Sequence, residues 1–164
     1  ILSAGYRGQV FATNREGAEV LGVTTVAAID DLPDGEIDLV FVCTPAGANP
    51  ALLKAAAAKG ISAAFIASAG YREAGPEGRQ AEDDLVALAA ELGILLVGPN
   101  GQGLISTPVD LCAQIVAPCG SSFARKTSVP PRLVSVPVPK SIVPLKKPVM
   151  ITLPEGSTVT AVPL

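Results

Sequence analysis

The 164-residue chain contains neither histidine nor tryptophan. The missing histidine excludes imidazole nucleophiles, general bases, imidazole metal ligands and phosphohistidine from this chain. Aromatic residues are scarce, four Phe and two Tyr, yet 49% of residues are hydrophobic. A sizeable but aliphatic core is therefore expected. No uninterrupted apolar run reaches the roughly 18 residues of a membrane span. The first residues lack the basic and long apolar regions of a signal peptide. Ile1 is not an initiator Met, which reads as a fragment of a longer chain. Cys43, Cys112 and Cys119 are odd in number and carry no ligand-like spacing. They predict no disulfide framework and no metal site, and they fit a reducing cytoplasm. Cys43 falls in a strand pattern and reads as a small buried hydrophobe.

The mild net charge of −3 hides two unlike parts. Through Pro118 there are six Lys/Arg against 14 Asp/Glu, a net −8, whereas from Cys119 onward six Lys/Arg face one Glu, a net +5. Eight of the 15 prolines also fall in the last 46 residues, so a domain boundary is drawn there. Residues 1–118 form the expected globular domain and 119–164 a basic, Pro-rich extension. Proline alternating with Val and Lys over residues 129–148 disfavours both a regular helix and a central strand. Residues 149–153 and 157–162 could pair as a terminal hairpin around Pro154-Glu155-Gly156. The tail's spaced basic residues, without interleaved aromatics, are a weak nucleic-acid signature.

Strand and helix patterns alternate along the first part. Residues 9–13 read as a short buried strand entering a turn at Asn14-Arg15-Glu16-Gly17. Residues 18–21 suggest one helical turn stopped by Gly22, residues 30–35 a loop, and the acidic stretch 30–38 reads as solvated. Residues 37–43 are a near-continuous apolar run, as a parallel strand buried on both faces requires. A helix follows, with Asn49 as N-cap, Pro50 at its first position and Gly60 as its stop. Leu52, Leu53, Ala56 and Ala57 form its apolar stripe. Residues 61–67 read as the next buried strand. A second helix begins near Pro76, buries Leu85, Leu88, Ala89 and Leu92, and ends at Gly93. Residues 94–97 form another buried strand. This order predicts an α/β fold with a Rossmann-like parallel sheet and right-handed crossovers. Gly5-Tyr6-Arg7-Gly8 reads as the loop after a lost first strand and helix, so the first βα unit is expected to be missing.

Three strands run into turns of small, polar residues: Cys43-Thr44-Pro45-Ala46, Ala67-Ser68-Ala69-Gly70 and Gly98-Pro99-Asn100-Gly101-Gln102-Gly103. Such turns bare the backbone at the carboxyl edge of an open sheet, where ligands bind. Each also fits a tight strand-to-loop turn with no ligand. Taken together they could form one small-molecule site.

These motifs, with Asn14-x-x-Gly17-x-Glu19-Val20-Leu21-Gly22 and Ser68-Ala69-Gly70-Tyr71-Arg72-Glu73-Ala74-Gly75, give the chain its likeness. From roughly Gly5 to Pro118 it resembles the CoA-binding domain of NDP-forming acyl-CoA synthetases, such as the succinyl-CoA synthetase α subunit and ADP-forming acetate–CoA ligases. The resemblance implies CoA as ligand, no metal in this chain, and no catalytic residue within it. It implicates Thr13, Asn14 and Arg15, then Thr44 and Pro45, then Ala67, Ser68 and Ala69, with Asn100 and Gly101 at the rim beside the thiol. It further implies partner domains or subunits that carry the phosphohistidine and ATP-grasp functions; the composition itself points to no nucleic-acid or membrane partner. Three departures stand out. Arg15-Glu16 replaces a Pro-Lys pair, Gly101 replaces a Cys, and the first phosphate-binding glycine turn is missing, so weaker CoA binding is expected.

The expected function is a CoA-binding module that positions CoA for thioester formation. The alternatives are a stand-alone CoA- or nucleotide-binding regulatory module, an NAD-binding oxidoreductase domain, and a truncated product without activity. The acid that usually caps the second strand of a dinucleotide reader is replaced by Thr13-Asn14, which counts against NAD.

Overall fold

The computed structural model describes residues 1–2, 5–115 and, as backbone, 149–152. Six strands form one wholly parallel sheet: β1 (Val10–Thr13), β2 (Thr25–Val26), β3 (Leu39–Val42), β4 (Ala63–Ile66), β5 (Leu95–Val97) and β8 (Val149–Thr152). Their spatial order is β2-β1-β8-β3-β4-β5. β6 (Gly103–Ser106) and β7 (Leu111–Gln114) make a separate antiparallel hairpin. Two helices, α1 (Asn49–Ala58) and α2 (Pro76–Glu91), link β3 to β4 and β4 to β5. The expected Rossmann-like α/β architecture is present. The boundary at residue 118 lies outside the described residues.

The period-two alternation of β3 explains the layering. Val40 and Val42 face the helices and pack with Leu53, Ala56, Ala64, Ile66, Tyr71, Leu85 and Ala89. Leu39 and Phe41 face the other way and pack with Phe65, Leu111 and Ala113 of the hairpin side. Phe41 and Phe65 stack with centroids 4.6 Å apart. Among the described residues, Phe41, Phe65 and Tyr6 lie on the hairpin side, and Tyr71 and Phe11 on the helix side.

Both helices stop where glycine adopts a left-handed conformation, at Gly60 (φ 78°) and Gly93 (φ 69°). Three local expectations are corrected. Residues 18–21 do not form a helical turn: Val20 and Val23 bridge in antiparallel fashion around Leu21-Gly22, both at positive φ. That pair of conformations suits a two-residue hairpin and interrupts a helix. The acidic stretch is only partly a solvated loop. Ile29–Asp31 form a 3-10 turn, Leu32 is buried, and Lys59 bridges to Asp34 at 2.9 Å while bonding the Leu32 carbonyl. β5 is not buried on both faces but is an edge strand, with Leu95 68% and Val97 46% exposed.

Residues 149–152 enter the main sheet rather than a local hairpin. They pair in parallel with β1 on one side and β3 on the other. Residues 157–162, the other half of the expected hairpin, lie outside the described residues. The place between β1 and β3 is therefore taken by β8.

Candidate functional site

A wholly parallel sheet puts every strand's carboxyl end on one edge. Thr13, Val42, Ile66, Val97 and Thr152 all end there. Seven of the ten sequence-predicted residues cluster on the β3–β5 half of this edge, through hydrogen bonds between turns. Ser68 Oγ donates to the Thr44 carbonyl at 2.5 Å. The Asn100 amide donates to the Ser68 carbonyl at 2.9 Å, and the Gly101 amide to Ile66 at 3.3 Å. The Ala67 amide donates to Val42 at 2.8 Å. Thr44-Pro45, Ala67-Ser68-Ala69 and Asn100-Gly101 thus form one continuous rim.

Behind the rim lies a buried relay that sequence reasoning missed. Asn49 was expected to cap α1, but its side chain points inward and is fully buried. Its Oδ1 accepts from Thr44 Oγ1 at 2.8 Å, and its Nδ2 donates to the Tyr71 hydroxyl at 2.7 Å. Tyr71, itself 1% exposed, turns that hydroxyl toward the Ala46 carbonyl. Burial pushes the Tyr71 phenol up; the Asn49 bond opposes this and the Glu73 charge adds to it. The phenol therefore stays neutral, able to donate and accept at once. The only sequence cue was a Tyr directly after Ser68-Ala69-Gly70.

Glu73 closes the second turn. Its Oε1 accepts from the amides of Gly70 at 2.5 Å and Tyr71 at 3.2 Å. These backbone bonds, the Gly70 one foremost, hold the carboxyl below the usual range. Cys43, beside the rim, is half-buried, and burial raises its thiol. That suits the expected structural role and disfavours a reactive thiolate.

Close packing dictates two glycines of the third turn. Gly98 has φ 99°, and a Cβ there would run into the Ile66 carbonyl. A Cβ at Gly101 would lie 2.5 Å from the Phe65 ring. Glycine at 101 is therefore matched to Phe65 beneath it.

The other three predicted residues lie on the far side of β8. Thr13 and Asn14 are nearly buried, at 8% and 7% exposure. Asn14 is committed to its own turn, its Oδ1 accepting from the Glu16 amide at 3.1 Å. Arg15 is exposed at the tip. A groove of about 550 Å3 opens beside the rim, between the start of α1 and α2, lined by Ala46, Gly47, Pro50, Gly70, Tyr71 and Leu88 among others. None of the ten predicted residues lines it. Among the described residues no helix is long and apolar enough to cross a membrane, and no cluster of His, Cys, Asp and Glu is placed to hold a metal.

A family profile described as a CoA binding domain matches residues 2–107. The chain is 35% identical over 108 residues to an acetate–CoA ligase [ADP-forming] I of Archaeoglobus fulgidus, covering 66% of this chain and 16% of that protein. It is 31% identical over 117 residues to an acetate–CoA ligase [ADP-forming] I subunit alpha of Pyrococcus furiosus, covering 69% and 25% respectively. Among solved structures, a dinucleotide forming acetyl-coenzyme A synthetase 1 of Ca. Korarchaeum cryptofilum superposes with a TM-score of 0.64 at 26% identity, over 69% of this chain and 24% of that one. The chain thus spans about a quarter or less of the length of these relatives.

Proposed function

The chain belongs to the CoA binding domain family, and from that premise we propose that its carboxyl edge positions CoA within an NDP-forming acyl-CoA synthetase, an acid–thiol ligase. The observation that carries this reading is the rim locked by Thr44, Ser68 and Asn100, inside the region matched by the family profile. CoA combines a pantetheine arm, which can lie along bare backbone, with phosphates that seek N–H groups and cations. Thr44-Pro45, Ala67-Ser68-Ala69 and Asn100-Gly101 supply the small-residue surface for the arm. Arg15, exposed at the end of β1, is the cation offered to a phosphate.

In this chemistry the CoA sulfur attacks the carbonyl carbon of an acyl phosphate. The C–S bond forms, the C–O bond to phosphate breaks, and the thiol proton is given up. This chain's share is to hold and orient the thiol. The chain has no histidine, so the phosphohistidine falls to other domains or subunits, and on this reading the ATP-grasp function does too. A cytoplasmic location accompanies that role.

Calorimetric titration with CoA, desulfo-CoA and NAD tests the reading. Heat with CoA and none with NAD is expected, whereas a preference for NAD would overturn it. Arg15→Ala should weaken CoA several-fold and weaken 3′-dephospho-CoA less, if Arg15 meets that phosphate.

A further inference from the structure

β8 occupies a place that its position late in the chain does not explain. Its residues align with β1 from Val10↔Val149 to Thr13↔Thr152, and with β3 from Leu39↔Val149 to Val42↔Thr152. β1 and β3 therefore pair with β8 and not with each other. From this point the sheet builds outward to β2 on one side and to β4 and β5 on the other. Such a reversal is the topological switch point, outside which open α/β sheets bind ligands. The strand standing at that point here comes from residues 149–152.

The consequence for the site is geometric. Thr152 is level with Thr13 and with Val42, the two strand ends from which the Asn14-Arg15 and Thr44-Pro45 turns depart. Neighbouring strands lie about 4.8 Å apart, so without β8 a gap of about 10 Å would separate β1 from β3. Phe11 and Val26 would still pack against the helix-side core. Such packing is far less specific in register than a double ladder of backbone hydrogen bonds.

We propose that Val149–Thr152 is a recruited part of the CoA site: docking between β1 and β3, it joins the two halves of the ligand edge and brings the Thr152 backbone to its centre. The identity of the ligand rests on the CoA reading above; the strand docking stands without it. The occupant is this chain's own distant segment, and the surface that receives it is the pair of facing edges of β1 and β3.

Hydrogen exchange and CoA titration of the full chain, compared with Met150→Pro, test the proposal. Proline removes an amide from the middle of a strand paired on both sides. In the unsubstituted chain, the amides of residues 149–152 should be protected about as well as those of Leu39–Val42. Met150→Pro should speed exchange across Val10–Thr13, leave α2 and β4 protected, and weaken CoA at least tenfold. Should proline unfold the whole chain, Met150→Gly, which keeps the amide and only loosens the strand, should give the same changes at smaller size. Free-peptide exchange rates at residues 149–152 in the unsubstituted chain would overturn the proposal. So would a folded variant with unchanged β1 exchange and unchanged CoA affinity. If residues 149–152 are protected and β1 responds, but the unsubstituted chain gives no heat with CoA, the docking stands and the ligand assignment falls.

Discussion

Tyr71 and Asn49 hold the rim from behind, and each is buried with its polar atoms engaged. Tyr71→Phe would leave the Asn49 Nδ2 without an acceptor, at a cost of about 1–3 kcal/mol. Urea unfolding should show that loss with an unchanged slope. Gly101 is set by the ring beneath it, so Gly101→Cys is expected to destabilise by about 1–3 kcal/mol through overpacking on Phe65. The Glu73 carboxylate is bound in its ionised form, its pKa lowered on folding. Its contribution is present in full above the ordinary carboxylate pKa of about 4.3 and is lost as pH falls through the lower folded value. Wild type should therefore lose its stability advantage over Glu73→Gln only in acid, which thermal melts at pH 7 and below pH 4 would show. The raised Cys43 thiol should be alkylated more slowly than a free cysteine at pH 8.

The two faces of the sheet differ in how much they bury, and the difference can be measured. Leu85, 1% exposed on α2, packs in the helix-side core, so Leu85→Ala should cost about 2–5 kcal/mol. Leu95, 68% exposed on the edge strand, should tolerate Thr with a change within about 0.5 kcal/mol. The apolar runs of β3, β4 and β5 look alike in sequence. Only their place in the sheet separates a central strand from an edge. The helices were legible because Pro50 and Pro76 near their starts and Gly60 and Gly93 after their ends are local signals. Asn49 was misread for the same reason: the Asn-Pro pair is a good local start signal, but Thr44 and Tyr71, brought close by folding, claim its side chain. The two-residue β2 and the Val20–Val23 bridge carry too few residues to show any period.

At the scale of the molecule, a ligand that binds only the folded chain must raise its melting temperature. With CoA at a hundred times its Kd the fold gains about 2.7 kcal/mol. For a domain of this size that is a rise of roughly 5–10 °C. NAD at the same concentration should leave the melt unchanged. The sequence by itself determined the alternation of strand and helix, the glycine stops and the three small-residue turns. Each is written within a dozen or so neighbouring residues and follows from periodicity, caps and turn chemistry. It also determined, through the absent histidine, that these 164 residues supply no imidazole chemistry. Only the tertiary structure decided that Asn49 and Tyr71 brace the rim, that Phe65 sets Gly101, and that β8 stands between β1 and β3. The physical reason is sequence distance. Asn49 and Tyr71 are 22 residues apart, Phe65 lies within β4 and Gly101 in the turn after β5, and 34 residues lie between β7 and β8. No local preference specifies such partners; packing and a shared ladder do.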